Sequence, residues 1–398
     1  MIRVLFLCHR YTDVQLGGLA EFLHFLPLAL KTFGIDSIIY TAPEKKKSKQ
    51  LINPHLLTNQ VPHYVGPLLK PGFFVSKSAT KVLIEICKKE KIDLIHAQGV
   101  YRAGYMAMHI DQQLDIPYVV TSHSDLLSSH SKRMRQFHIR RRCQKILNQA
   151  RFITHLSPIM AEAAEKFCSV SSKSTLIHNG VDRNDWIKYA DLPESNYLLA
   201  IGRLEPEKGF SVLIDAYANL VKQGMDISLI IAGTGSSEQS LQQQAKNYQL
   251  NVITEYRPSH LPNRSIIFTG YVKNETKKIL FAQAKLVLFA TQGKQWTEPF
   301  GIVQLEAMAA GKALIASDIP IVRYLQSLGL QALLVDGENK YDWAQTIANL
   351  LANKTLRSIM GKNNQEAAKK FSWDIIAKSY ADIYKKIHSC LGRNDNVD

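Results

Sequence analysis

The chain has 398 residues, of which 46% are hydrophobic and 21% are charged, with a formal net charge of +15. A chain of this length exceeds what one hydrophobic core normally supports, so we expect two domains of roughly 150–200 residues each. The five cysteines are scattered and never form a C-x-x-C pair, which argues against a disulfide framework and against a zinc site. We therefore expect reduced thiols in a cytoplasmic protein.

The apolar start of the chain, residues 2–8, is too short for a signal-peptide core or a membrane-spanning helix. No later stretch reaches spanning length, so we expect a soluble or peripheral protein. The excess of positive charge favours a polyanionic partner: a nucleic acid, an anionic membrane and a diphosphate all fit.

Short apolar runs alternate with helical patterns along the chain, which is typical of parallel sheets covered by helices. This pattern predicts an α/β protein with two Rossmann-like domains. The predicted strands of the first half are residues 2–8, 37–42, 93–97, 118–122, 152–156 and 175–179. Those of the second half are residues 197–203, 228–233, 265–270, 286–291, 313–318 and 332–336.

A polar segment at residues 182–195 separates the two sets of strands and is the best candidate for a linker. We predict an acceptor-side domain at 1–190, a nucleotide-binding domain at 191–375, and a final helix at 376–398 that packs back on the first domain. Two long segments without a clear pattern, residues 43–62 and 251–264, are interpreted as loops.

Glycines and cations follow the first strand of each half, where open parallel sheets bind ligands. Gly17 and Gly18 precede a helical pattern, and paired glycines let the backbone approach a phosphate at a helix start. A plain turn explains them equally well. In the second half, Gly202, Arg203 and Lys208 precede another helix. Two cations beside a helix N-terminus would bind a diphosphate and stabilise its charge as a leaving group. The alternative is that Arg203 and Lys208 are ordinary surface charges with a structural role.

Glu298 and Glu306, separated by seven residues, form the sharpest feature of the sequence. Pro299 and Gly301 predict a helix start, so Glu298 lies in a loop and Glu306 about two turns inside the helix. Eight helical residues rise about 12 Å, a span comparable to a folded nucleotide sugar from ribose to hexose, so one carboxylate could hold sugar hydroxyls and the other a ribose diol. The alternative is that Glu298 only interacts favourably with the helix dipole and that Glu306 is a solvated helix residue. The apolar neighbours of Glu306 argue against its being solvated.

His123 follows the fourth predicted strand and could reach a ligand there, although a buried structural histidine is equally common. Gly233, after the second strand of the second half, is a weaker signal by itself.

In this order, these residues resemble the retaining glycosyltransferases of family 4, which have the GT-B fold. The resemblance covers nearly the whole chain and depends above all on the two glutamates followed by Ala-Met-Ala-Ala-Gly. It implies two domains facing across a cleft. The implied catalytic residues are His123, Arg203, Lys208 and Glu298. The implied donor-binding residues are Gly17, Gly18, Gly202, Arg203, Lys208, Gly233, Glu298, Phe300, Gly301, Ile302 and Glu306.

The resemblance also implies what each residue does. Arg203 and Lys208 would bind the donor diphosphate, while Glu298 would bind the donor sugar and Glu306 the ribose. Gly18 would lie near the phosphates and His123 near the transferred sugar. No cofactor or metal is expected, since the nucleotide sugar is a substrate and the chain lacks a D-x-D pair.

The expected activity is transfer of a hexose, with retention, from a UDP- or GDP-sugar to a hydroxyl of a glycan or lipid-linked acceptor. Bacterial cell-surface polysaccharide or lipopolysaccharide synthesis is the expected setting. A sugar-nucleotide epimerase and a glycoside phosphorylase of the same fold stay open as alternatives, although such phosphorylases are usually much longer. A basic nucleic-acid-binding protein is the alternative from another class; it is disfavoured because no RNA-binding or recognition-helix motif occurs.

The segment from Lys132 to Lys145 holds seven basic residues among fourteen and no acidic residue. Drawn as a helix, it turns one apolar stripe to the domain and points the opposite face outward; the outward residues are Met134, Phe137, Arg140, Arg141 and Lys145. Such a helix suits the inner, anionic face of a membrane. A solvated basic face that lines the acceptor cleft is the alternative.

Overall fold

The computed structural model describes residues 1–9, 18–42, 52–56, 61–67, 77–127, 132–255, 262–293, 297–390 and 392. Contacts between residues divide the chain into two compact units. One unit comprises Met1–Gly180 with Trp373–Asp398, and the other comprises Val181–Ser372.

The described residues of the first unit form one sheet. Its strands are β1 (Ile2–Cys8), β2 (Ile35–Thr41), β3 (Ile52–Leu56), β4 (Pro62–Val65), β5 (Leu94–Gln98), β6 (Tyr118–Ser122), β7 (Phe152–His155) and β8 (Ser174–Leu176). They lie in the order β3-β4-β2-β1-β5-β6-β7-β8, and all neighbours are parallel except β3 and β4. Strands β5 and β6 are buried along their whole length, as expected of parallel strands covered on both faces.

The second unit contains a parallel sheet. Its strands are β9 (Tyr197–Ile201), β10 (Ser228–Ala232), β11 (Asn251–Ile253), β12 (Ser265–Gly270), β13 (Leu286–Phe289), β14 (Leu314–Ser317) and β15 (Ala332–Val335). Their order is β11-β12-β10-β9-β13-β14-β15. The sheet order reverses beside β9, and ligands of open α/β sheets bind at such a point.

Helices connect the strands of both units. They are α1 (Gly18–Leu30), α2 (Lys77–Lys89), α3 (Tyr105–Leu114), α4 (Phe137–Gln149), α5 (Pro158–Glu165), α6 (Arg183–Ile187), α7 (Phe210–Lys222), α8 (Glu238–Asn247), α9 (Asn274–Gln283), α10 (Ile302–Ala309), α11 (Pro320–Ser327), α12 (Lys340–Ala352), α13 (Lys354–Ala367) and α14 (Trp373–Cys390).

The final helix α14 belongs to the first unit, as the sequence predicted. Its aromatic residues Trp373, Tyr380 and Tyr384 are buried in one core with residues of α1 and β1. The Tyr384 hydroxyl lies 2.6 Å from Nδ1 of the buried His96, so a polar contact also fixes the helix on the sheet. Burial lowers the pKa of His96 well below its ordinary value.

Every predicted strand coincides with a strand of the structure, with shifts of a few residues at the ends. The interpretation of residues 43–62 and 251–264 as loops was wrong in part, since they contain β3 and β11. Both strands lie at the edge of a sheet. An edge strand pairs on one side only and can be short, so its sequence need not carry a long apolar run.

The contacts place residues 182–190 with the second unit rather than the first. The Val181 amide donates to the carbonyl of Phe371 at 2.8 Å, and Trp186 packs edge-on against Phe281 with ring centroids 5.2 Å apart. These contacts bind the segment to its own unit, although its polar composition is that of a linker. The domain bounds 1–190, 191–375 and 376–398 stay a prediction.

Candidate active site

The loops that follow β9, β10 and β13 pack backbone against backbone at the carboxyl ends of these strands in the second sheet. Gly209 has φ 70°, and a Cβ atom there would lie 2.0 Å from the carbonyl oxygen of Ala290. Gly233 has φ 135°, and a Cβ atom there would lie 1.9 Å from the carbonyl oxygen of Gly202. Only glycine fits these two positions, because both the conformation and the space exclude a side chain.

This packing places Arg203 and Lys208 at the start of α7. Arg203 is exposed, and Lys208 ends a short 3₁₀ turn, Pro206–Lys208. Gly209 caps α7 in a left-handed conformation without a side-chain hydrogen bond to the helix. The helix start therefore presents its positive dipole end beside two cationic residues, an arrangement that attracts anions.

Glu205 ties this loop to the loop after β10, a link that the sequence interpretation missed. Its carboxylate accepts hydrogen bonds from the Ser236 hydroxyl at 2.5 Å and the Ser236 amide at 3.3 Å. These bonds, with a smaller contribution from Arg203, lower the pKa of Glu205. No local sequence pattern indicates this contact, since the two residues belong to different loops.

Lys208 and Glu298 form an ion pair, and the pair is mostly buried. Their side chains are 16% and 8% exposed, respectively. The sequence assigned Lys208 to a diphosphate and Glu298 to a sugar, and the structure places the two groups in direct contact. A ligand at this site would therefore contact an ion pair in which the two charges largely neutralise each other, rather than two separate charges.

Helix α10 begins as the sequence predicted. Gly301 has φ 76° and precedes Ile302, the first helical residue, and no side chain caps this helix start. Glu298 lies in the preceding loop, and Phe300 is buried with 2% exposure. The amide N–H groups of the first turn of α10 thus form a second positive helix end beside the buried carboxylate.

Glu306 is buried inside α10, so the interpretation as a solvated residue is excluded. Its Oε1 lies 2.6 Å from Nζ of Lys277 on α9, which is also buried. Sequence reasoning missed Lys277, because a lysine near a helix start usually faces solvent. It also missed Gln304, which is fully buried; neither polar atom of its side chain has a hydrogen-bond partner within the described residues.

In the first unit, Gly18 begins α1, and a Cβ atom there would lie 3.0 Å from Nδ2 of Asn179. Gly17 lies outside the described residues. Within the described part of the chain, Oδ1 of Asn179 is buried without a hydrogen-bond partner.

His123 follows β6 directly, as predicted. Its Nε2 lies 2.8 Å from Oε1 of Gln98, and its ring packs edge-on against Phe22 with centroids 5.6 Å apart. Burial lowers the pKa of His123 to about 4, so the ring is neutral near pH 7. A neutral imidazole can donate one hydrogen bond and accept another.

Helix α4 carries the basic segment, and its outward face differs from the prediction in two residues. Met134 is buried, and its Sδ lies 4.0 Å from Sγ of Cys143. It belongs to a 3₁₀ turn before α4 rather than to a continuous helix, so the predicted outward direction does not apply to it. Arg140 stacks over the ring of Phe167 at 4.5 Å and is not fully exposed. The outward prediction is correct for Phe137, which is 72% exposed, and for two basic residues, Arg141 and Lys145.

Among the described residues, no helix has the length and apolar character needed to cross a bilayer. Within the same residues, no three His, Cys, Asp or Glu side chains are grouped so that they could hold a metal ion.

Two family models together match almost the whole chain. Residues 16–185 match "Glycosyltransferase Family 4", and residues 182–367 match "Glycosyl transferases group 1". The chain is a family 4 glycosyltransferase with the GT-B fold.

This glycosyltransferase is similar to curated proteins along most of its length. It is 25% identical over 378 residues to an uncharacterized glycosyltransferase of Methanocaldococcus jannaschii, with 94% of this chain and 95% of the relative covered. It is 23% identical over 351 residues to an alpha-monoglucosyldiacylglycerol synthase of Streptococcus pneumoniae, with 83% and 75% covered.

Solved structures have the same fold as the glycosyltransferase. Sucrose-phosphate synthase from Thermosynechococcus elongatus superposes with a TM-score of 0.75 at 19% identity, covering 98% of this chain and all of that chain. Anabaena HepE in complex with UDP and glucose superposes with a TM-score of 0.73 at 20% identity, covering 97% of this chain and all of that chain.

Proposed function

We propose that this glycosyltransferase transfers a hexose from a nucleotide-diphosphate sugar, with retention of anomeric configuration, to a hydroxyl of a glycan or lipid-linked acceptor. One observation carries the donor assignment. Two helix starts without side-chain caps, those of α7 and α10, lie in loops that also hold Arg203 and the Lys208–Glu298 ion pair. Such a set suits a diphosphate joined to a polyhydroxy group.

UDP is the favoured nucleotide of the donor. The Anabaena protein HepE, which has the same fold, was solved in complex with UDP-glucose. In this chain, the diphosphate would accept hydrogen bonds from Arg203 and from the first turn of α7. Glu298 would accept hydrogen bonds from sugar hydroxyls, and Glu306 from the ribose diol.

The chemical step follows from these roles. The acceptor hydroxyl attacks the anomeric carbon on the face that the diphosphate leaves, and a departing phosphate oxygen takes the proton. Arg203 and the start of α7 stabilise the charge that develops on the leaving diphosphate, which is the largest contribution expected in such a site. Because protein groups supply the positive charge, we propose that the reaction needs no metal.

A panel of donors tests the assignment. UDP-, GDP- and ADP-sugars are each added to the protein, and thermal unfolding and donor hydrolysis are measured, with NMR of the released sugar to read its initial anomeric configuration. A donor at 100 times its dissociation constant stabilises the fold by about 2.7 kcal/mol. Stabilisation by one nucleotide class, with release of the sugar in the donor's configuration, is the expected result. No stabilisation and no hydrolysis with any donor would overturn the proposal.

We further propose that the exposed face of α4 rests on an anionic membrane, which would give access to a lipid-linked acceptor. Phe137 is exposed beside Arg141, whose guanidinium lies 5.5 Å from the centre of the Phe137 ring. Each basic residue near an anionic surface contributes about 1 kcal/mol. A relative of this chain is named an alpha-monoglucosyldiacylglycerol synthase, which supports an acceptor of this kind.

Co-sedimentation with anionic liposomes at several salt concentrations tests this docking. The variant Arg141→Glu/Lys145→Glu reverses two exposed charges of α4, and Lys222→Glu/Lys246→Glu reverses two exposed charges of the second unit. We expect the first variant to lose binding and the second to keep it. Equal binding by both variants would contradict docking through α4 and leave the donor assignment intact.

A further inference from the structure

The second unit contains a basic pocket of about 340 Å³ away from the carboxyl ends of its strands. Lys285 and Lys312 line it; Lys285 directly precedes β13, and Lys312 lies two residues before β14. The pocket therefore lies at the amino ends of these parallel strands, whereas the candidate active-site loops follow carboxyl ends. Its volume falls in the range of small-molecule sites, about 300–1,000 Å³.

Positive charge dominates the lining of this pocket. Five basic side chains line it against two carboxylates; the basic residues are Lys285, Lys312, Lys354, Arg357 and Lys362. Glu194 lies 3.8 Å from Nζ of Lys312 and 3.9 Å from the Arg357 guanidinium. Both distances are too long for a direct hydrogen bond. The carboxylate of Glu194 therefore attracts both cations without a direct hydrogen bond to either.

Arg357 is held in place by the protein while part of its guanidinium has no partner. The side chain is 9% exposed and donates to the carbonyls of Leu350 and Leu351. Its Nε is buried without a hydrogen-bond partner within the described residues. A guanidinium carries five N–H groups, so Arg357 is anchored through Nη1 and retains Nη2, 3.9 Å from Glu194, as a donor for a charged acceptor.

Lys312 is also a largely buried cation. Its side chain is 11% exposed, and burial lowers its pKa. An anion bound beside Lys312 would offset the desolvation of the ammonium group. The first turns of α13 add Lys354, Arg357 and Ser358 to the lining of the pocket.

We propose that this pocket binds a small phosphorylated ligand, with the phosphate between Lys312 and Arg357 and with Lys354 and Lys362 at the exposed rim. A phosphate presents several charged oxygens to an arginine fork and a lysine together, which a carboxylate does less completely. This site is separate from the proposed donor site and does not depend on it.

Calorimetric titration of the whole protein tests the site, with inorganic phosphate, pyrophosphate and glucose 6-phosphate as separate probes. Each titration is made both without UDP and with saturating UDP, which occupies the proposed donor site. The variant Lys312→Gln/Lys362→Gln removes two cations of the pocket and leaves Arg357 in place. Lys222→Gln/Lys246→Gln removes two exposed cations elsewhere in the same unit. Arg203→Gln removes a cation of the proposed donor site.

We expect at least one probe to bind the wild type, and the pocket variant to bind it at least about tenfold more weakly. The control variant and Arg203→Gln should bind as the wild type does. A preference for glucose 6-phosphate over inorganic phosphate would identify an organic phosphate as the ligand, and equal binding would identify the phosphate group alone. No binding of any probe, equal weakening by both double variants, or loss of binding in Arg203→Gln would each overturn the proposal. Thermal unfolding of each variant checks that its fold is intact.

Discussion

Nζ of Lys277 lies 2.6 Å from Oε1 of Glu306, and the two side chains are only 8% and 6% exposed. The pair joins α9 to α10. Glu306 is therefore held in a fixed position by an opposite charge before any ribose hydroxyl could reach it. A buried ion pair of this kind adds little to the stability of a fold, whereas removing one of its two partners is strongly destabilising, because the other charge stays buried and unpaired.

Lys277→Met should destabilise the second unit, because it leaves the Glu306 carboxylate buried without its counter-charge. We expect the free energy of unfolding to fall by about 3–5 kcal/mol. The double variant Lys277→Met/Glu306→Leu should lose clearly less, since no uncompensated charge remains. Urea denaturation followed by circular dichroism measures both. Equal destabilisation of the single and double variants would contradict this account of the pair.

Glu306→Gln should mainly raise the KM for the nucleotide sugar. A ribose contact binds the ground state and the transition state alike, so kcat should change little. Initial rates over a range of donor concentrations separate the two constants. A large fall in kcat at unchanged KM would place Glu306 in the chemical step instead.

Arg203→Gln should lower kcat by about 10²-fold, because one group that stabilises the leaving diphosphate is removed. Lys246→Gln, which removes an exposed cation on α8, serves as the matched control and should keep the wild-type rate. If both variants retain full activity, the proposed diphosphate site is in the wrong place.

Activity should persist in EDTA. Arg203 and the starts of α7 and α10 supply the positive charge that a divalent metal supplies in other transferases. Rates measured before and after exhaustive chelation should agree closely. A strict requirement for Mg²⁺ or Mn²⁺ would mean that the diphosphate is held in another way.

Stability should fall as the pH decreases from about 6.5 towards 4. Burial lowers the pKa of His123 and of His155 to about 4, below the value of about 6.5 in an unfolded chain. Between about pH 4 and 6.5 the unfolded chain binds more protons than the folded chain, so acid favours unfolding. The free energy of unfolding that depends on these two histidines is therefore fully present only above about pH 6.5. His155 is fully buried, and neither ring nitrogen has a hydrogen-bond partner within the described residues.

Thermal unfolding temperatures across pH 4–8 measure this effect. His155→Leu should flatten the acid side of the curve, whereas His138→Gln, a change at an exposed histidine of α4, should leave it unaltered. An unchanged pH dependence in His155→Leu would show that His155 does not contribute to the loss of stability in acid.

The sequence by itself determined the local structure around the candidate site. Hydrophobic runs depend on near neighbours in the chain, so the start of α10 after Gly301, the burial of Glu306 among apolar residues and all described strands except β3, β4 and β11 were predictable. The same locality explains the failures at β3 and β11. Edge strands are stabilised by pairing with a neighbour, and a short stretch of sequence carries little trace of that pairing.

Only the tertiary structure decided which charges meet. Lys208 lies ninety residues from Glu298 along the chain, and Lys277 belongs to a different helix from Glu306. Hydrophobic periodicity predicts which face of a helix is buried but not which charged group lies opposite, since that depends on how separate elements pack. The pocket around Lys312 likewise arises because loops before two strands and the start of α13 come together in the folded chain.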